Sequence, residues 1–248
     1  LAVGPVMRGL VDLVIRETPD LCPSESINAV VGEVNDGILN NIQLNSISSG
    51  DVLAAYEKRT EIFETGNVGA GTGTRCFSWK GGIGTASREV KIDSKKFTVG
   101  VLVQTNFGGS LNVLGVPLGK ILNKTDFVTE KETPDGSCMM VIATDAPLSS
   151  RQLKRIAKRA PLGLAKTGSI MATGSGDYAI AFSINREDSK ITDNNLNNFF
   201  LAVVESVEES VYDALFAADT MLGRNGNILE QLPIEDVIQI LKKNYVTS

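Results

Sequence analysis

The sequence predicts an α/β protein, a four-layer αββα sandwich with helix layers outside packed sheets. Two observations carry this. Short runs such as Phe97 to Thr105 and Cys138 to Thr144 are apolar at successive positions, as strands covered on both faces must be. Between such runs lie amphipathic stretches, each with an apolar stripe that needs a surface to cover.

The elements follow in chain order. From Val6 to Ile15, residues Val6, Met7, Leu10, Val11 and Val14 recur at helical spacing. Asn28 to Val34 reads as a short strand, with Asn35-Asp36-Gly37 as its turn. Asp51 to Lys58 is a helix capped by Ser49 or Asp51. Gly66 to Thr74 holds more glycine than a helix tolerates. The strand Phe97 to Thr105 ends in Asn106-Phe107-Gly108-Gly109, and polar residues from Asn123 to Gly136 make an exposed loop. After the strand Cys138 to Thr144 comes a basic helix, Ser149 to Ala160, with Leu153, Ile156, Ala157 and Ala160 inward. Gly174-Ser175-Gly176-Asp177 introduces a strand from Tyr178 to Ile184. A long helix from Leu196 to Ala218 turns Phe200, Val203, Val204, Val207, Val211 and Leu215 toward one face. Ile234 to Lys242 is a closing helix after Pro233, and no internal repeat is apparent.

Composition narrows the function. The 248 residues are 42% hydrophobic, enough for a substantial core. A net charge of −5 argues against nucleic-acid binding. No apolar run approaches the roughly 18–20 residues of a membrane span. Cys22, Cys76 and Cys138 are odd in number and lack metal-ligand spacing, which points to a reducing cytoplasm and no disulfide framework. Without histidine, a transition-metal site is not expected, and no cofactor is called for. The chain opens at Leu1 within helix-like sequence and without Met, and so reads as a fragment.

The missing histidine gives weight to Asp135-Gly136-Ser137-Cys138, which runs straight into Met139-Met140-Val141-Ile142-Ala143. A nucleophilic serine needs a base, and no imidazole is available. Cutting the chain between Gly136 and Ser137 would supply one, because a free α-amine titrates at roughly 7.7–8.0. A plain Gly-Ser turn into a buried strand accounts for the same residues and is commoner.

Other motifs carry paired readings as well. The glycine-rich stretch lacks the Lys-Ser/Thr ending of a P-loop and does not match the dinucleotide fingerprint, which leaves tight packing or close backbone approach to a substrate. The Lys-Arg run from Arg151 to Arg159 fits a solvated helix face. Cys138 fits the core. Asn106, at a strand end, is either an oxyanion donor or a turn former. Ser175 and Asp177 alternate in an extended segment and point the same way, a pattern that an Asx-type turn also explains.

Four long motifs taken together resemble the L-aminopeptidase/D-Ala-esterase family, which includes the β-peptidyl aminopeptidases. They are Val31 to Gly37, Gly66 to Gly73, Lys80 to Arg88 and Val99 to Gly108. The similarity continues through Ala143 to Leu148 and Gly174 to Ser183. The resemblance implies an αββα sandwich like that of the N-terminal-nucleophile hydrolases, with a different connectivity. It also implies a precursor that cleaves itself into an α-subunit portion (1–136) and a β-subunit (137–248), together one domain. Ser137 matches the family's nucleophile, Ser175 and Asp177 the pair that supports it, and Asn106 the oxyanion donor. Glu33 falls where a carboxylate receives the substrate ammonium, a charge-assisted contact suited to an exopeptidase. Asn35 stands in a segment where relatives often carry an aromatic residue, and so bears on the substrate pocket.

The expected activity is removal of N-terminal residues from short peptides, amides or esters, by homo-oligomers of processed αβ units. Two rivals are an ornithine-acetyltransferase-like acyl transferase, whose nucleophile is usually Thr, and an uncleaved, catalytically silent binding protein.

Overall fold

Val99, Val101 and Val103 are buried while Gly100 and Leu102 between them are only half-buried. This period of two defines a strand with one face in a core. The computed structural model describes residues 2–44, 46–126, 136–187 and 191–245. Two compact units are distinguished, Leu1–Glu33 with Asn41–Glu64, and Val34–Asn40 with Thr65–Ser248.

The first unit pairs helices α1 (Val3–Glu17) and α2 (Ser49–Glu57). Ser48, not Ser49 or Asp51, is the N-cap of α2, and its N–H donates to Asp51 Oδ2 at 2.7 Å in a capping box. Arg16 donates to Glu57 at 3.1 Å, and the Tyr56 hydroxyl to Glu17 at 2.7 Å. Residues 28–34, expected to form a strand, are irregular. A strand exists only by pairing, and no described strand runs beside this segment.

The second unit is built on a mixed four-stranded sheet. In chain order its elements are β1 (Arg75–Cys76), β2 (Trp79–Lys80), β3 (Ile83–Ile92), β4 (Lys95–Asn106), α3 (Leu118–Ile121) and β5 (Ser137–Thr144). Then come α4 (Ser150–Ala157), α5 (Ala160–Lys166), β6 (Gly176–Ser183), α6 (Leu196–Phe216), β7 (Met221–Leu222), β8 (Ile228–Leu229) and α7 (Ile234–Tyr245). The sheet order is β3-β4-β5-β6, with β5 antiparallel to β4 and parallel to β6. Residues 127–135 of the expected exposed loop, Asp135 included, lie outside the described residues.

One face of this sheet carries helices. Helix α6 crosses β3 and β4 so closely that a Cβ on Gly84 would lie 1.9 Å from the Ser210 carbonyl oxygen. Its Asp213 accepts the Thr85 N–H of edge strand β3 at 2.8 Å. On α6 Phe200 packs against the core as expected, half-buried beneath the guanidinium of Arg159, 3.9 Å from the ring centroid, while the neighbouring Phe199 is fully buried. Ser149 to Ala160 forms not one helix but the whole of α4 and the start of α5, because Pro161 in the first turn of α5 suits a fresh start. The basic run there is a solvated face, with Arg151 and Arg155 paired to Asp193 at 2.7 and 2.8 Å.

The other face is different. Tyr178, Ile180 and Phe182 alternate along β6 and are exposed. Apolar groups on an outward sheet face are what a second sheet packed against it would need. Of the four expected layers, the described residues show this sheet and its helix layer. No described helix is long and apolar enough to cross a membrane.

Candidate active site

Ser137 opens β5 between its two neighbours, paired with Asn106 of β4 and Gly176 of β6. It is buried, at 8% exposure. A Cβ built on Gly176 lies 3.8 Å from Ser137 Cβ, so the serine side chain shares a sheet face with Asn106. The Asn106 amide is clamped at both ends. Its Oδ1 accepts the Arg75 N–H at 3.2 Å, and its Nδ2 donates to the Asn35 carbonyl at 3.0 Å. An amide nitrogen has two N–H groups, and that bond uses one of them. Asn35 therefore meets the site through its backbone; its side chain accepts the Gly37 N–H at 3.0 Å in an Asx-type turn.

Ser175 and Asp177 stand on the opposite face. The register sets Asp177 beside Cys138, and a Cβ on Gly136 would sit 3.1 Å from Ser175 Oγ. They thus flank the Gly136–Ser137 peptide link rather than the serine hydroxyl. The carbonyl of that link accepts the Gly176 N–H at 2.9 Å. Ser175 Oγ and both Asp177 carboxylate oxygens are buried without a hydrogen-bond partner among the described residues. Burial raises the Asp177 pKa, and the adjacent Ser175 hydroxyl opposes the rise only in part.

This predicts a stability effect. A carboxyl with a raised folded-state pKa weakens the fold progressively as pH rises from its unfolded value to the raised one, fully above that, and not at all in acid. In the uncut Ser137→Ala chain, where no α-amine faces the carboxylate, Asp177→Asn should therefore raise the melting temperature at pH 7. The advantage should shrink as pH falls through the raised pKa, as thermal melts across pH would show.

The cysteines offer no competing nucleophile in this sheet. Cys138 is fully buried, and burial, then the Asp177 charge, pushes its thiol well above the usual range. Burial does the same to Cys76. The glycine-rich stretch is held internally, since Gln104 Nε2 donates to the Ala70 carbonyl at 2.7 Å and Lys80 Nζ to that of Gly71 at 2.9 Å. Tight packing explains its composition.

Two charged residues near the site were not singled out by sequence reasoning. Asp126 lines a narrow cleft beside Gly136 and Ser175, with Phe107, Gly109 and Ile170. Burial raises its carboxyl pKa. Lys80 lies beneath the glycine-rich stretch; in the sequence it merely opens the motif Lys80 to Arg88, with no sign of its burial. Glu33 is exposed and belongs to the first unit, whereas Asn35, Asn106, Gly136, Ser137, Ser175 and Asp177 all belong to the second. No group of three or more metal-ligating side chains occurs among the described residues.

Known proteins share this sequence and fold. A β-peptidyl aminopeptidase BapA from Sphingosinicella microcystinivorans is 38% identical over 247 residues, covering 89% of this chain. The chain spans 62% of the length of that relative. The PH0078 protein of Pyrococcus horikoshii OT3 has a TM-score of 0.88 at 41% identity, covering 98% of this chain and 70% of its own. The L-aminopeptidase D-Ala-esterase/amidase of Ochrobactrum anthropi, described as a new variant among the Ntn hydrolase fold, has a TM-score of 0.84 at 31% identity, covering 98% of this chain and 71% of its own. The α/β fold seen here, a mixed sheet with helices on it, is thus of that kind. The model of peptidase family S58 matches residues 1–229, and the chain belongs to this family.

Proposed function

We propose that this chain is part of a self-processing serine aminopeptidase with Ser137 as nucleophile. The observation that carries the reading is the cluster of three buried oxygens, on Ser175 and Asp177 beside the Gly136–Ser137 link, that have no hydrogen-bond partner within 3.5 Å among the described residues. Buried acceptors without donors are rare and costly. An α-amine released at Ser137 would supply the donors.

The same geometry supports self-cleavage. The Ser137 hydroxyl attacks the Gly136 carbonyl carbon, whose oxygen already accepts the Gly176 N–H. The peptide C–N bond breaks as an ester forms, and the nitrogen takes up the proton as a free amine. Water then hydrolyses the ester, leaving a Gly136 carboxylate and a Ser137 α-amine.

In turnover that amine, neutral, takes the proton from Ser137 Oγ as the oxygen attacks the substrate carbonyl. The nearby Asp177 carboxylate stabilises the ammonium so formed. The second N–H of Asn106 meets the developing oxyanion, a contribution of about 2.7–4 kcal/mol per donor. The ammonium returns its proton to the leaving group, and water releases the acyl product. Short peptides, amides or esters with a free amino end are the substrates this supports, in line with the names of the relatives. Homo-oligomers of processed units in the cytoplasm complete the reading, the latter resting on free cysteines such as Cys22.

Glu33 is assigned the substrate ammonium. Glu33→Gln keeps the size and removes the charge, and self-cleavage should proceed without it. Loss of a charged hydrogen bond of about 1.5–3 kcal/mol should lower kcat/KM on free-amine substrates roughly ten- to a hundredfold. Kinetics on paired free and N-acetylated substrates test this. The native enzyme should ignore the acetylated member, and an unchanged preference in the variant would remove Glu33 from the site.

A further inference from the structure

Lys80 is wholly buried, yet neither the self-cleavage nor the turnover described above uses it. A lysine rarely occupies such a place without a partner for its charge. Its Nζ donates to the carbonyls of Gly71 at 2.9 Å and Gly81 at 2.5 Å. Burial pulls its pKa down to about 8, and the Asp36 carboxylate works against that fall. The ammonium therefore holds two backbone carbonyls and feels the charge of Asp36 at longer range.

What surrounds Lys80 leads to Asn106 from both sides. Across the β1–β2 pair, Lys80 is the register partner of Arg75, whose N–H binds Asn106 Oδ1. Next to Lys80, the Gly81 N–H donates to the Thr74 carbonyl at 3.0 Å, tying the strand entering Arg75 to the lysine. Asp36 follows Asn35, whose carbonyl accepts from Asn106 Nδ2. Asp36 packs directly on the glycine-rich loop, since a Cβ on Gly73 would lie 2.3 Å from its Oδ2. One clamp on the Asn106 amide is thus the register partner of Lys80, and the other is one residue from the acid that Lys80 attracts.

We infer that Lys80 is a positioning residue for the oxyanion amide, its ammonium joining the glycine-rich loop to the Asp36 turn and so fixing Asn106 opposite Ser137. This rests on the reading of Asn106 as the oxyanion donor. A lost positioning contact displaces the donor from the transition state while leaving substrate binding elsewhere intact, and so acts on kcat more than on KM.

The test is a double-mutant cycle on the full-length processed enzyme with an aminoacyl amide substrate, using Lys80→Met, Asn106→Ala and both together. Lys80→Met should lower kcat by about tenfold or more while KM moves by less than about threefold. In the Asn106→Ala background the same substitution should change kcat by less than about twofold, because its effect passes through the amide already removed. An equal loss in both backgrounds, or no loss in the native one, overturns the role of Lys80 and leaves the Asn106 reading standing. If Asn106→Ala itself leaves kcat unchanged, the oxyanion reading fails and the role of Lys80 falls with it. Should Lys80→Met not fold, Asp36→Asn removes the counter-charge at nearly constant volume and is judged by the same cycle.

Discussion

Ser137→Ala is expected to lower turnover of a free-amine peptide amide by at least about 10⁴-fold, the scale seen when a serine hydrolase loses its nucleophile. No group among the described residues of this sheet is placed to take over. The sequence holds no histidine, and the thiol of Cys138 is buried and strongly resistant to ionisation. The substitution deletes one buried hydroxyl, so circular dichroism and the melting temperature should stay close to native. Residual activity within tenfold of native would show that another group attacks the substrate.

Blocking the new α-amine is the second large effect. Carbamoylation confirmed by mass mapping at Ser137 should abolish turnover, because a carbamoylated nitrogen no longer accepts a proton. General-base loss is worth roughly 10²–10⁴-fold. The sign of the pH dependence follows from the same chemistry. The neutral amine is the active form, so kcat/KM should rise with pH through one ionisation and be lost below it. Asp177 beside the link favours the ammonium and burial disfavours it, and the limb reports their balance. Full activity after blocking would exclude the amine as base.

Parts of this site were legible in the sequence for clear reasons. The apolar run after Ser137 could only be a buried strand, and the long helix from Leu196 follows directly from its period. The full burial of Phe199 beside Phe200 shows the limit of that period, since neighbouring positions share a broad stripe and packing against Phe97 adds Phe199 to it. The break at Pro161 was readable from the proline alone, although the amphipathic pattern continued through it.

What the sequence did not carry was register. Alternation of Ser175 and Asp177 places them on one common face, but only the β5–β6 pairing decides that this is the face of Gly136 and not of the Ser137 side chain. The burial of Lys80 was equally hidden. Lysine is exposed by default, and its environment here is made of backbone carbonyls of Gly71, which ends a single 3-10 turn, and Gly81, neither of which has a side chain to signal it. The segment around Val31 failed for the converse reason: its residues favour a strand, but pairing supplies the structure.

The central claim is that a cut between Gly136 and Ser137 creates the catalytic group. Intact-mass measurement of the denatured, active protein, alongside Ser137→Ala, tests it most directly. The native protein should resolve into two species, one ending at Gly136 and one beginning with Ser137, while the variant remains a single uncut chain. A fully active native protein of one intact mass, or a variant still split at this bond, would contradict it.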